Sequence, residues 1–191
     1  MSKTHDKRRR TDLDLFALAL VESGVSTPYE LQKAAGLSPG ATIPALQRLV
    51  EAGIVRQGKP GLRGRTDHQI TAAGRKFLKN GWRTLIEDGP SGDLDADLQV
   101  ALLAWWVGGE RRLAADFLEQ SAAQKLASLE TVEESDEPGS GSLLADWYSR
   151  LRSGSARAIL KAESAAAAAM SAALPRNLPG RPRPARGSNR H

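Results

Sequence analysis

Polar and apolar positions change period several times along this chain, and each change marks an element. After the polar, basic "MSKTHDKRRR", the run "LDLFALALVESG" is apolar at most positions. It predicts a largely buried helix opened by Thr11 or Asp12 and ended by Gly24. "TPYE" sets Thr27 and Glu30 at capping-box spacing with Pro28 at the first helical position, so a second helix starts at Thr27 and stops at Gly36. Ser38 and Pro39 repeat the start signal and predict a third helix from Pro39 to about Ala52, followed by Gly53. On it Thr42, Leu46, Leu49 and Gly53 share one face at a period of 3.6. "GIVRQ" and "TDHQIT" are short and β-compatible, flank Gly58 to Gly64, and predict a hairpin. Thr71 then caps a fourth helix, "TAAGRKFLKNGWRTLIE".

Helix, short helix, tight turn, helix, hairpin, helix is the order of a winged helix-turn-helix. Three residues between two capped helices force a steep crossing and leave the third helix protruding. Past Asp88, "GPSGDLDAD" reads as a linker and N-cap cluster. Leu94, Leu98, Ala101, Leu102 and Trp105 then fall on one helical stripe, broken at Gly108 and Gly109. A long helix from about Glu110 to Glu130 carries Leu113, Phe117, Leu118, Ala122, Leu126 and Leu129. "ESDEPGSGS" is a flexible connection, and a last helix runs from about Leu143 to Ala173. The remainder, rich in Pro, Gly and Arg, cannot pack a core.

The expected fold class is mainly α with a small β-hairpin. Residues 1–10 form a disordered basic arm, 11–88 a winged helix-turn-helix domain, 89–173 an acidic all-α dimerisation segment, and 174–191 a disordered basic tail. A fragment of residues 1–88 is expected to be monomeric, with dimerisation lodged in residues 90–173.

Charge follows the same divisions. Residues 1–80 hold 14 Lys and Arg against 7 Asp and Glu, residues 81–173 hold 8 against 15, and the last 18 residues hold 5 arginines and no acid. A basic front, an acidic middle and a basic tail point to a polyanion met by the ends alone, with nucleic acid ahead of a membrane surface. The absence of cysteine excludes disulfides and thiolate metal sites. No apolar stretch approaches the roughly 18 residues a spanning helix needs, so a cytoplasmic protein without a membrane partner is expected. His5, His68 and His191 are scattered and form no ligand cluster. "DLDAD" sits at a helix start, where carboxylates cap, and no G-x-x-x-x-G-K-[ST] is present. No catalytic residue, metal or cofactor is expected, and the chain does not read as an enzyme.

Candidate contacts to double-stranded DNA lie on two elements. On the third helix Ser38, Ala41, Ile43, Gln47 and Arg48 point away from the core stripe. Gln suits adenine edges, Arg suits guanine or phosphate, and small or apolar side chains meet a thymine methyl. Glu51 repels phosphate and confines contacts to the first three turns. Pro44 lies inside this helix and crowds the carbonyl of Gly40; the bend is either purely structural or aims the first turn at the groove. On the hairpin tip Lys59, Arg63 and Arg65 would follow phosphates or enter the minor groove. Trp105 and Trp106 are core or dimer-interface anchors, or line a pocket for a flat apolar effector. "GRPRP" in the tail reads as a general cationic segment. It loosely resembles an AT-hook core, with Pro179 where an arginine is usual.

Ser38-Pro39-Gly40, Pro44-Ala45-Leu46, Arg48-Leu49, Gly53-Ile54-Val55, Arg65 and Thr71-Ala72-Ala73-Gly74 together resemble the winged-helix domain of PadR-type bacterial transcriptional regulators, over roughly residues 11–85. The related MarR-type regulators share that domain. The resemblance implies a homodimeric DNA-binding regulator, a repressor by preference, with the acidic helical segment dimerising. The chain departs from the family's pattern at Ile43, where a tyrosine is usual, and at Asp67 and His68, where aromatics are usual. The alternative is a winged-helix module that docks proteins and has no operator of its own.

Overall fold

A computed structural model of the chain describes residues 3–58, 66–134 and 143–176, with side-chain surroundings for 11–58, 66–128 and 154–176. Among these residues it is mainly helical, with one two-stranded antiparallel hairpin: α1 (Lys3–Glu22), α2 (Pro28–Ala35), α3 (Pro39–Glu51), β1 (Val55–Gln57), β2 (His68–Ile70), α4 (Ala72–Glu87), α5 (Leu94–Trp106), α6 (Arg111–Glu134) and α7 (Leu143–Ala173). The arrangement through α4 is compatible with a winged helix.

The local start and stop signals act as their chemistry dictates. Thr27 accepts from the Glu30 amide while the Glu30 carboxylate accepts from the Thr27 amide, closing the capping box, and Gly36 ends α2 at φ 67°. Only a residue free of Cβ adopts that left-handed turn cheaply. Thr71 caps α4 by accepting from the Gly74 amide, and its hydroxyl lies 2.8 Å from the Gly53 carbonyl oxygen and 3.0 Å from that of Ile54. Gly74 fits there because a Cβ would collide with the Ile54 carbonyl and the Ile70 side chain. One cap therefore closes the hairpin base, the end of α3 and the head of α4 together.

The structure departs from the sequence reading in three places. The basic stretch expected as a disordered arm is helical from Lys3, because residues 3–10 are rich in helix formers and hold no Gly or Pro, so the buried turns behind them propagate outward. On α5 the buried side chains are Ala96, Asp97, Val100, Ala101, Leu103, Ala104 and Trp105, whereas Leu94, Leu98 and Leu102 are half-buried. The cause is that α5 packs against α1, α4, α6 and α7 at once, so it has no single wet face to balance a stripe. On α6, Leu113 and Leu126 are exposed while Ala114, Ser121 and Ala122 are buried. The facing α7 offers Ser164, Ala167 and Ser171, so the two helices meet along a seam of small residues, while Phe117 and Leu118 of α6 turn into the main core as expected.

The core does not break at residue 88. Leu15 and Leu18 of α1, Trp82 of α4, Leu103 of α5, Phe117 of α6 and Leu174 after α7 belong to one contiguous cluster. A small second cluster of Val21, Leu31 and Leu46 fixes α2 against α1 and α3.

Polar ties fasten the linker between α4 and α5. Asp97, fully buried, accepts from the Ser91 amide at 2.7 Å, the Ser91 hydroxyl at 2.8 Å and the Ser121 hydroxyl at 2.7 Å. Lys125 donates to the Gly92 carbonyl and to Glu163 of α7, each at 2.5 Å. A buried carboxylate and a buried ammonium are tolerable because each is met by several partners. Of the "DLDAD" carboxylates, Asp93 caps α5 through the Asp95 and Ala96 amides, while Asp97 ties α5, α6 and the linker together.

Candidate nucleic-acid interface

The residues singled out on α3 divide into two groups. Ser38, Ile43 and Gln47 are exposed, with Ile43 44% accessible, and Ala41 is half-buried. They share their outer face with Gly40, Pro44 and Glu51, all exposed, and α3 continues unbroken through Pro44. The opposite side, Thr42, Ala45, Leu46 and Leu49, is buried. Ser38 stands at the N-cap without a side-chain capping bond; its carbonyl instead accepts from the Thr42 hydroxyl at 3.1 Å.

Arg48 behaves differently from the sequence expectation. Its Nε donates to Asp14 Oδ2 at 3.1 Å and its Nη2 to Asp14 Oδ1 at 2.5 Å, a two-pronged pair between α3 and α1. The hydrogen bond to Asp14 raises the guanidinium pKa further, against the opposing effect of burial. The side chain that sequence offered to guanine or phosphate is thereby engaged in holding α3 at its angle on α1. Paired with Asp14, Arg48 still keeps 39% of its side chain accessible, and it is the one cation of α3, with Glu51 exposed at the far end. Changing Arg48 to Ala should therefore leave the salt dependence of duplex binding unaltered while lowering the thermal midpoint. A slope flattened by about 0.9 would instead identify a lost phosphate contact.

The hairpin is anchored to the head of α2. The His68 amide donates to the Ser26 carbonyl at 2.8 Å, and the buried His68 ring brings Nδ1 within 3.0 Å of the same oxygen. A carbonyl only accepts, so Nδ1 carries the proton. The Ser26 hydroxyl lies 3.2 Å from a Glu30 carboxylate oxygen and 3.3 Å from one of Asp67. His68 and Asp67, where the sequence pattern departs from its resemblance, are thus the residues that seat the hairpin beside α2. Lys59, Arg63 and Arg65 lie outside the described residues, as does "GRPRP" in the tail.

Two exposed groups escaped the sequence reading. Arg56 of β1 faces solvent and donates to Gln69 of β2 at 2.7 Å, so the outer face of the hairpin carries its own cation. The alternation of Val55 in and Arg56 out was the available signal. Tyr29, in the first turn of α2, is 68% exposed.

Trp105 lies within the core and half-buried Trp106 packs against it, their ring centroids 6.2 Å apart and tilted by 60°. Among the described residues no group of His, Cys, Asp or Glu is arranged to hold a metal ion, and no helix is long and apolar enough to cross a membrane. Comparison with known protein families and with curated proteins finds no match to this chain.

Proposed function

We propose that this chain is a sequence-specific DNA-binding transcriptional regulator acting as a homodimer, with repression as its default action. The observation that carries the reading is the geometry of α2 and α3. A capped short helix and a tight turn present an outer α3 face, with Ser38, Ile43 and Gln47 in solvent, beside a hairpin seated on the head of α2. That face suits a major groove: Gln47 for an adenine edge, Ile43 and Ala41 for thymine methyls, Ser38 for either partner. Lys59, Arg63 and Arg65 join the two strands in sequence and are the natural phosphate contacts. The segment α5–α7 would join two copies, and the resemblance to PadR-type regulators supports the same assignment.

One observation favours a second reading. An exposed stripe of Ile43, Pro44 and Gln47 without a cation, together with exposed Tyr29 on α2, also suits a protein surface. Selection of bound duplexes from a random pool with the full-length chain separates the two. A regulator should enrich a defined site, and Gln47→Ala should then lose about 1–3 kcal/mol at one base position if the contact is bidentate. Equal losses on selected and random duplexes would remove Gln47 from the base-reading set, and a pool with no enriched site would favour protein docking.

A further inference from the structure

The fourth helix carries a row of cations that neither the fold nor the α3 face uses. Lys76, Lys79 and Arg83 are exposed and Arg75 is 57% exposed, with no acidic residue on α4 before Glu87. At 100° per residue these four side chains fall within an arc of about 100°, and the row from Arg75 to Arg83 is about 12 Å long. The apolar side of the same helix, Gly74, Leu78, Trp82 and Leu85, is buried. Neighbouring acids barely neutralise the row. Glu22 of α1 approaches Arg75 only to 3.9 Å, and among the described residues neither lysine lies within ion-pair distance of a carboxylate. Arg83 is steadied by its own helix, its guanidinium 4.7 Å from the ring centroid of Trp82.

We infer that this face of α4 is a second nucleic-acid surface, one that lies along the phosphate backbone of a duplex without reading bases. It stands apart from base reading by α3, whose one cation, Arg48, is paired with Asp14 of α1. A straight row of one sign, with no pocket between its members, recognises repeated charge and not shape. About 12 Å measured along the duplex axis corresponds to roughly three phosphate spacings of one strand at about 3.4 Å each. A lipid surface fits less well, because the apolar side of α4 is in the core and Phe77, 38% exposed, is the one large apolar group on the helix left for insertion. The helix that carries the row is capped by Thr71, beside the C-terminal end of α3 and the hairpin base.

The test uses the full chain with Lys76→Gln and Lys79→Gln together, both exposed side chains, so that the thermal midpoint should hold. Binding is measured between 50 and 200 mM salt on a selected duplex and on a random one of about 30 base pairs, three helical turns. Losing two phosphate contacts per protomer should flatten the plot of log affinity against log salt by about 2 for each bound protomer, so that the wild type loses about tenfold more affinity per protomer across that range than the variant. The selected-to-random ratio should not change. Arg75→Gln with Arg83→Gln should reproduce the effect. An unchanged slope in both variants overturns the proposal, as does a loss confined to vesicles of anionic phospholipid. Gln47→Ala, run alongside, keeps the two readings separate. If it alters base preference while the lysine variant is silent, α3 reads DNA and α4 does not. If it is silent while the slope flattens, the α4 surface stands and the base-reading assignment falls.

Discussion

Ending the chain at Asp88 should yield a fragment that no longer folds cooperatively, not a free-standing DNA-binding domain. Charge and composition place a boundary there, but the packing does not. Leu15, Leu18, Trp82 and Leu85 are each no more than 3% exposed, and they share a cluster with Val100, Leu103 and Trp105 of α5. Removing α5 uncovers the face of α1 and α4 on which it lies. Full burial of one such side chain contributes about 1.5–3 kcal/mol, so uncovering three or four of them removes roughly 5–10 kcal/mol. That is comparable with the entire stability of an ordinary domain. The fragment should melt broadly and show poor amide dispersion in a proton–nitrogen correlation spectrum. A sharp two-state melt with a dispersed spectrum would show that the winged unit stands alone.

The second large effect is expected at Trp82. This ring is 1% exposed, and it lies against Gly108 at the α5–α6 turn, where a Cβ would run into the ring and into the Ala104 carbonyl. Trp82→Ala should cost about 3–5 kcal/mol, equivalent to roughly 6–20 °C in thermal midpoint for a chain of this size. Gly108→Ala should destabilise by overpacking the same contact. If the two residues are complementary, the double variant should be more stable than the sum of the singles predicts by at least about 0.5 kcal/mol, because the smaller side chain makes room for the added methyl. Simple additivity would show that Gly108 is required for its neighbouring backbone and not for the tryptophan.

What sequence revealed and what it concealed divide by distance along the chain. Thr27, Glu30, Pro28 and Gly36 act within four residues of themselves, as does Thr71 in capping α4, and each does what its position promised. The hairpin pairing Val55 with Ile70 follows from two short β-compatible runs and the connection between them. The pairing of Arg48 was not legible because its partner Asp14 lies 34 residues earlier, on another helix. The face of α3 it occupies carries no sign of α1 packed beside it. Asp97 looked like one more capping carboxylate, yet its three donors come from Ser91 and Ser121, the latter 24 residues away. The α5 stripe failed for a related reason: periodicity reports a helix with one wet side, and α5 is enclosed on several. On the candidate interface, the exposure of Ser38, Ile43 and Gln47 was legible from helical spacing. The seating of the hairpin by His68 on Ser26 was not.

The fastening of Lys125 to Gly92 and Glu163 also has a mechanical meaning. From Glu163 back to its start at Leu143, α7 continues for 20 residues, about 30 Å of rigid rod at 1.5 Å per residue. Lys125 therefore fixes α7 to α6 at a point with a long stretch of helix beyond it. A tilt of about 5° there displaces the far end by roughly 2.6 Å over that length, while the groups at the pivot move by fractions of an ångström. Gly92 lies in the connection between α4 and α5, so the same fastening ties α6 and α7 to the end of the helix that carries the cation row.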